Sequence, residues 1–426
     1  MSNLLEKASI ITTPTAYSDG VLHSVKPSES PYADFTFTRN DAGTRVNASG
    51  NIESVGVDLP RIDYLGGSGS LLLEPQATNT ATDSNDFTTG DIFEGSDNPS
   101  LSFATLTSAQ ATSPDGTNNA WKLVDNNDGN TGQCSVNYFN ADVISENYNT
   151  VSLFVKKQGD NDWMYINNLS FDVVSRSWFN ISNGTLGTVA SGHTASIDDY
   201  GNGWYRISVT FTSEFDLTGG INIRLATSDG VTSILRDGTN GVYIYGLQAE
   251  SHATREYATS YIPTSGSLQT RGADSAIKDG LSSYISSTAG VLYGEFAVLS
   301  NELDGNYKVL SLNVGTASGA NGIVLGFNLS NQIYASVGGQ FITSYTPTDA
   351  TDFNKVAIKY EDNNTKLFVN GVQIGSTNTT TTIPSGLSRL GFDSGNGGSR
   401  FQGNVKCVAV FKEALTDAEL TCLTTI

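Results

Sequence analysis

The sequence predicts an all-β protein built from tandem β-sandwich (jelly-roll) domains behind a short β-rich N-terminal segment. Three observations carry that expectation. The 426 residues hold 38% hydrophobic but only 15% charged side chains. Asn, Ser, Thr and Gly fill most polar positions, and helix-forming Lys, Glu and Arg are scarce. Apolar and polar residues also alternate with period 2 through many short runs, as half-buried strands require. Between two such runs stands Asn370-Gly371, the pair that supplies both positive-φ positions of a type I′ hairpin turn.

The chain is too long for one ordinary domain. Its organisation reads as 1–76, a β-rich attachment segment, 77–270, a jelly roll, and 271–426, a second sandwich. In the first segment Asp34-Phe35-Thr36-Phe37-Thr38-Arg39 is followed by Thr44-Arg45-Val46-Asn47 and Asn51-Ile52-Glu53-Ser54-Val55. Pro60-Arg61-Ile62-Asp63-Tyr64 and Leu71-Leu72-Leu73-Glu74-Pro75-Gln76 close it. The order of these groups, over about residues 33–79, resembles the opening of phage tail and fibre-like proteins.

The middle segment reads as strands at 120–124, 151–157, 163–171, 177–181, 204–212, 220–226 and 241–248, separated by loops rich in Asn, Asp and Gly. The runs Gly203-Trp204-Tyr205-Arg206-Ile207 and Gly241-Val242-Tyr243-Ile244-Tyr245 resemble late strands of carbohydrate-binding-module-like jelly rolls. Tyr257-Ala258-Thr259-Ser260-Tyr261-Ile262-Pro263-Thr264 resembles the tail that follows them in phage proteins. In the last segment, the strands around Asn370-Gly371 and the run from Gly403 through Leu420 resemble laminin-G-like, concanavalin-A-like sandwiches. Thr416-Asp417-Ala418-Glu419 has the form of a capping box, so one short helix is expected after Leu415.

The net charge of −20 and the isoelectric point near 4.4 argue against nucleic acid and against an anionic membrane surface. No apolar run approaches the ~20 residues of a membrane span. Cys134, Cys407 and Cys422 suggest neither a disulfide framework nor a zinc site. The N-terminus lacks the apolar core of a secretory signal. An extracellular-type composition without an export address suits a virion protein, made in the host cytoplasm and released by lysis.

Catalytic patterns are incomplete. Glucanases of the concanavalin-A-like fold use E-x-D-x-x-E, and at Glu302-Leu303-Asp304-Gly305-Asn306-Tyr307 a tyrosine stands in place of the second glutamate. Gly66-Gly67-Ser68-Gly69-Ser70 lacks the closing glycine of a nucleophile elbow. His23, His193 and His252 are expected to be solvated surface residues. Asp125-Asn126-Asn127-Asp128-Gly129-Asn130 begins like a calcium loop, but Asn130 and Val136 stand where glycine and glutamate belong. No cofactor is expected, with a structural calcium in an irregular loop left open. The chain is not expected to be an enzyme.

Sugar recognition uses an aromatic face beside amides. Strand parity assigns Trp121 to the core with Leu123. It places Trp163, Tyr165 and Asn167 on one outward face, Trp178 with Asn180 on another, and Trp204 opposite Tyr205, Ile207, Val209 and Phe211. These six residues, Trp163, Tyr165, Trp178, Trp204, Asn167 and Asn180, form the candidate glycan site, with packing on a neighbouring domain or subunit as the other reading. The combined expectation is a phage virion appendage, a homo-oligomer displaying glycan-binding sandwiches and attached to other virion proteins through its N-terminal segment. A purely architectural role is the alternative, and a depolymerase is disfavoured. On this view, deleting residues 1–70 leaves both sandwiches able to fold.

Overall fold

The computed structural model describes residues 2–27, 34–87, 101–170, 173–213, 217–315, 321–395 and 397–426. Ala33, at the start of the phage-like pattern, and Phe171, expected at the end of a strand, lie outside them. Among the described residues the chain is nearly all β, with short helices only at Ser2–Lys7 and Asp417–Thr424. The second is the helix expected from the capping box. Thr416 Oγ1 accepts from the Glu419 amide at 3.3 Å, and Glu419 Oε2 accepts from the Thr416 amide at 2.9 Å.

Two compact units result, one from Met1–Ala48, Val55–Gln76 and Gly272–Ile426, the other from Ser49–Ser54 and Ala77–Arg271. The expectation of a separate attachment segment at 1–76 is therefore corrected. In the first unit, Ala8–Ser18 lies antiparallel to Gly403–Phe411, with Ile10 opposite Val410. Ser70–Leu73 pairs with the start of the same C-terminal strand, Leu73 opposite Gly403. Thr36–Thr38 closes the facing sheet against Ser275–Lys278. The physical reason is burial: Ile10, Leu22, Phe35, Phe37, Ile62 and Leu71 share one core with Leu292, Phe296, Leu325, Ile358 and Val410. A nine-stranded and a seven-stranded sheet enclose that core. Leu420 of the C-terminal helix covers an outer patch made by Val291, Tyr293, Ala357 and Phe411. At the hairpin between Thr365–Val369 and Val372–Asn378, Asn370 and Gly371 adopt φ of 49° and 86°, as the type I′ turn demands.

The N-terminal arginines are internal. Arg61 Nη1 donates to Glu74 Oε2 at 2.6 Å and to the Thr44 carbonyl at 3.0 Å, and its Nη2 donates to Asp274 Oδ2. Arg39 reaches the other oxygen of Asp274 at 3.1 Å and also caps the carbonyls of Asp41, Leu59 and Gly56. Burial works against the Arg61 charge, but Asp274 and Glu74 outweigh it and raise its pKa above the ordinary arginine value.

The second unit is a sandwich of two six-stranded sheets. One runs Ala104–Ala111, Ala120–Asp125, Gly241–His252, Tyr148–Gln158, Trp204–Thr212, His193–Asp199. The other runs Thr185–Leu186, Val173–Asn180, Trp163–Ser170, Leu217–Ala226, Ser135–Val143, Leu101–Ser102. Leu123, Leu153, Val155, Met164, Ile166, Phe179, Ile207 and Ile223 fill the space between them. Trp121 is half-buried against this core, and its indole donates to the Asn85 carbonyl at 2.8 Å. At the chain's entry and exit, Ala77 stands opposite Arg271 in a short antiparallel pair.

His193, expected at the surface, is drawn into this unit. Its Nδ1 lies 2.9 Å from Ser177 Oγ, its ring packs near Phe211, and its Nε2 is buried without a hydrogen bond among the described residues. Burial lowers its pKa from 6.5 to about 4. A depressed histidine pKa means that the unfolded chain binds the proton first. The neutral ring's contribution is thus complete above about pH 6.5 and lost as the pH falls towards 4. Discounted for partial exposure, the loss is roughly 1–2 kcal/mol. Melting curves of the parent and of His193→Gln are expected to converge between these pH values. Parallel curves would remove the assignment.

Candidate functional site

The face of the second unit that carries most of the candidate residues is a grid fixed by strand register. Asn167 stands opposite Arg176 on one side and Asn222 on the other, while Tyr165 stands between Trp178 and Arg224. Asn222 faces Asn137 in turn. The amides form a row across the sheet. Asn167 Nδ2 donates to Asn222 Oδ1 at 2.9 Å, and Asn222 Nδ2 donates to Asn137 Oδ1 at 2.6 Å.

The aromatic residues on this face are not an exposed platform. Tyr165 and Trp178 stack with centroids 5.2 Å apart, and their exposures are 0% and 7%. The Trp178 indole donates to the Val231 carbonyl at 3.0 Å, and the Tyr165 hydroxyl to that of Thr232 at 3.3 Å, so the loop after Ala226 roofs them. Trp163 is half-buried beside them. A Cβ at Gly187 would lie 2.6 Å from its ring, so that position accommodates the indole only as glycine. Asn167 is buried in the amide row, and Asn180 Oδ1 accepts from the amides of Ser182 and Asn183 in a turn. Their outward reading is corrected: facing away from the core is not the same as facing water.

The other sheet repeats the lesson. Trp204, Arg206, Ser208 and Thr210 are all buried on the face away from the core. The segment after His252 folds over them. Arg206 Nη1 donates to the Thr259 carbonyl at 2.7 Å, Thr210 Oγ1 to that of Glu256 at 3.2 Å, and Gln248 Oε1 accepts from the Ile262 amide at 2.7 Å. Glu250 accepts from the Thr259 amide at 2.9 Å and pairs with Arg255 at 3.2 Å. The Tyr257–Thr264 motif is thus a structural cover, with Tyr261 edge-on to Phe154.

At one end of this face the cover stops and a cleft of about 120 Å³ opens, lined by Gly50, Asn51, Thr112, Ser113, Pro114, Lys156, Tyr200, Gly201, Asn202 and Trp204. Trp204 gives the cleft a wall, its indole N–H being held by the Thr112 carbonyl at 3.0 Å. Asn202 and Gly203, with φ of 53° and 78°, form the tight turn joining His193–Asp199 to Trp204–Thr212. That turn carries the Asn202 amide to the cleft. The side chains of Lys156 and Asn202 have no hydrogen bond or ion pair among the described residues, which leaves an ammonium and an amide uncommitted along the cleft. Sequence reading missed both. The Asn202-Gly203 pair was the available signal for the turn, but nothing in the sequence placed Lys156 beside it.

The remaining candidates are occupied by the fold. Asp128 of the calcium-like loop is ion-paired with Arg236 at 2.9 Å, and Asp125 accepts from the Asp237 amide at 3.1 Å and from Asn240 at 3.2 Å. A cation there would have to displace the guanidinium. Among the described residues no group of acidic, His or Cys side chains is arranged to hold a metal ion. Asp304 is buried and bound to Lys308 Nζ at 2.8 Å, while Tyr307 is exposed and edge-on to Tyr334.

Comparison with known families bears on the first unit. The laminin G 3 family model, described as concanavalin A-like lectin/glucanases superfamily, matches residues 298–421. That stretch is a laminin-G-like, concanavalin A-like domain. The match spans less than half of the chain. No curated protein matches. Among solved structures, the CBM40 of Ruminococcus gnavus IT-sialidase is 20% identical, over 33% of this chain and 84% of that one, with a TM-score of 0.27. The NanB sialidase of Streptococcus pneumoniae is 15% identical over 35% of this chain and 26% of that one, at 0.29. Domain 4 of AbnA, an extracellular arabinanase from Geobacillus stearothermophilus, is 15% identical over 36% and 73%, at 0.28. Scores this low carry nothing about what this chain binds.

Proposed function

We propose that the chain is a structural adhesion protein of a virion, a homo-oligomer that displays sandwich modules for binding surface polysaccharide. The observation that carries the binding part is the Trp204 cleft. Its uncommitted Lys156 ammonium and Asn202 amide line the same cleft as Pro114, Tyr200 and the edge of the buried Trp204, the combination of apolar surface and a few polar groups that fixes a sugar. The virion part rests on the ordered phage-like groups from Asp34 to Asn79 and on the cover segment from Tyr257 to Thr264. Locating a tagged copy in intact particles by electron microscopy tests it. A catalytic role is not proposed, since Asp304 is committed to Lys308.

Lys156→Ala and Asn202→Ala are each expected to weaken binding to glycans selected on an array by roughly 0.5–3 kcal/mol, the range for one neutral or charged hydrogen bond. Melting temperature should barely move, because neither side chain has a partner in the fold among the described residues. Undiminished binding in both variants would remove the cleft from the proposal. The burial of Tyr165, Trp178 and Trp204 supports a second reading, in which the sandwiches serve architecture alone. Absence of glycan binding by the parent chain would favour it.

A further inference from the structure

We infer that Arg176 and Arg224, together with the amide pair between them, form a second binding site in the Ala77–Arg271 unit, for an anionic oxygen group on a polysaccharide. Each guanidinium leans on one asparagine of a bonded pair. Arg176 Nε donates to Asn167 Oδ1 at 3.2 Å, and Arg224 Nη2 donates to Asn222 Oδ1 at 2.9 Å. Asn167 and Asn222 are themselves joined at 2.9 Å, so a single amide bridge links the two cations. Their strands flank that of Asn167, roughly 10 Å apart across the sheet, a span that two arginine side chains close readily.

What is missing is a counter-charge. Arg39, Arg61, Arg236, Arg255 and Arg389 each pair with a carboxylate, whereas neither Arg176 nor Arg224 does among the described residues. Two half-buried like charges without an acid are conspicuous in a chain of net charge −20. Hydrogen-bond polarity points the same way. The Oδ1 atoms of Asn167, Asn222 and Asn137 all already accept, from Arg176, from Arg224 and Asn167, and from Asn222 and Ser135. The acceptors of the row are used to orient donors. Arg224 Nε is buried with no partner among the described residues, and its Nη1 has only a 3.5 Å contact with the Tyr165 hydroxyl. The remaining capacity is guanidinium N–H, the donor geometry that a carboxylate or sulfate engages in a bidentate manner. The aromatic floor beneath, with Arg224 5.9 Å from the Tyr165 ring centroid, holds the cation in place without neutralising it.

The site is separate from the Trp204 cleft and is tested separately. Calorimetric titration of the full chain at low salt would use polygalacturonate for the carboxylate, dextran sulfate for the sulfate and plain dextran as the neutral control. At least one charged polymer is expected to bind, and which one does identifies the group. Arg176→Gln should weaken that binding tenfold or more, with Arg176→Lys retaining part of it and Arg224→Gln matching the loss. The Arg176 side chain makes one hydrogen bond among the described residues, so the Arg176→Gln protein should melt like the parent and decides the matter even if Arg224→Gln fails to fold. Lys122→Gln removes one positive charge from the other sheet of the same unit, at a residue with no part in either site, and should bind the charged polymer as the parent does. The inference is overturned if neither charged polymer binds more tightly than dextran, if Arg176→Gln binds undiminished, or if Lys122→Gln loses as much as Arg176→Gln.

Discussion

Deleting residues 1–70 is expected to abolish folding of the Gly272–Ile426 sandwich, leaving insoluble or partly unfolded protein. The deletion removes Ile10, Leu22, Phe35, Phe37 and Ile62 from the core of that unit, each under 9% exposed. At about 1.5–3 kcal/mol for each buried large apolar side chain, the loss is roughly 8–15 kcal/mol, which equals the whole stability of a typical domain. It also strips the partner strand from Gly403–Phe411 and leaves Asp274 and Glu74 buried without Arg39 or Arg61. The fragment 77–271 should behave differently. Its two sheets enclose their own core, so it is expected to express as a soluble β-protein with a cooperative melt. Circular dichroism and calorimetry on the two truncations check this. A well-folded, cooperative protein lacking residues 1–70 would show that the N-terminal strands are appended rather than integral.

Local rules were legible in the chain wherever neighbours in sequence are neighbours in space. The Asn370-Gly371 turn, the Thr416–Glu419 capping box and the strand at Trp204–Thr212 depend on residues within a few positions of each other, so pattern and chemistry sufficed. Parity likewise separated Met164 and Ile166, which fill the core, from Trp163 and Tyr165, which face away from it. Period-2 alternation says nothing about what lies over the second face. The loop that covers Tyr165 and Trp178 and the tail that covers Arg206 hold those side chains through backbone carbonyls at Thr232, Val231 and Thr259. Carbonyls have no sequence signature. Long-range pairing was equally hidden. Ala8–Ser18 could complete a sheet on any exposed strand, and only the assembled core selects Gly403–Phe411, some four hundred residues away. The arginines of the first segment had no visible partner for the same reason, since the carboxylate they share, Asp274, stands more than two hundred residues downstream. For the same reason the grid joining Arg176 to Arg224 was invisible. Register across three strands brings it together, and register is a property of the folded sheet.

Replacing Arg61 by methionine is expected to destabilise the first unit by about 3–5 kcal/mol, the usual effect of breaking a buried ion pair by removing one partner. Methionine fills much of the same space, so the loss reflects charge rather than a cavity. Arg61 is fully buried and bridges Glu74, three residues before the chain enters the other unit at Ala77, to Asp274, two residues after it returns at Gly272. Without it the two carboxylates remain buried, with Arg39 still donating to Asp274 at 3.1 Å and the Glu74 amide at 2.8 Å. At 2–4 °C per kcal/mol for a unit of this size, the melting transition should fall by roughly 6–20 °C. Calorimetry should show that drop in one transition while the transition of the Ala77–Arg271 unit stays in place. Lysine should rescue little, because a single ammonium cannot replace the fork that reaches Glu74, Asp274 and the Thr44 carbonyl together. Adding Glu74→Gln to Arg61→Met removes one stranded charge, so the double variant should be more stable than the single one, a coupling expected within one buried network. A double variant that simply adds a second loss would mean that Glu74 and Arg61 contribute independently, and the clamp across the two crossing strands would have to be abandoned.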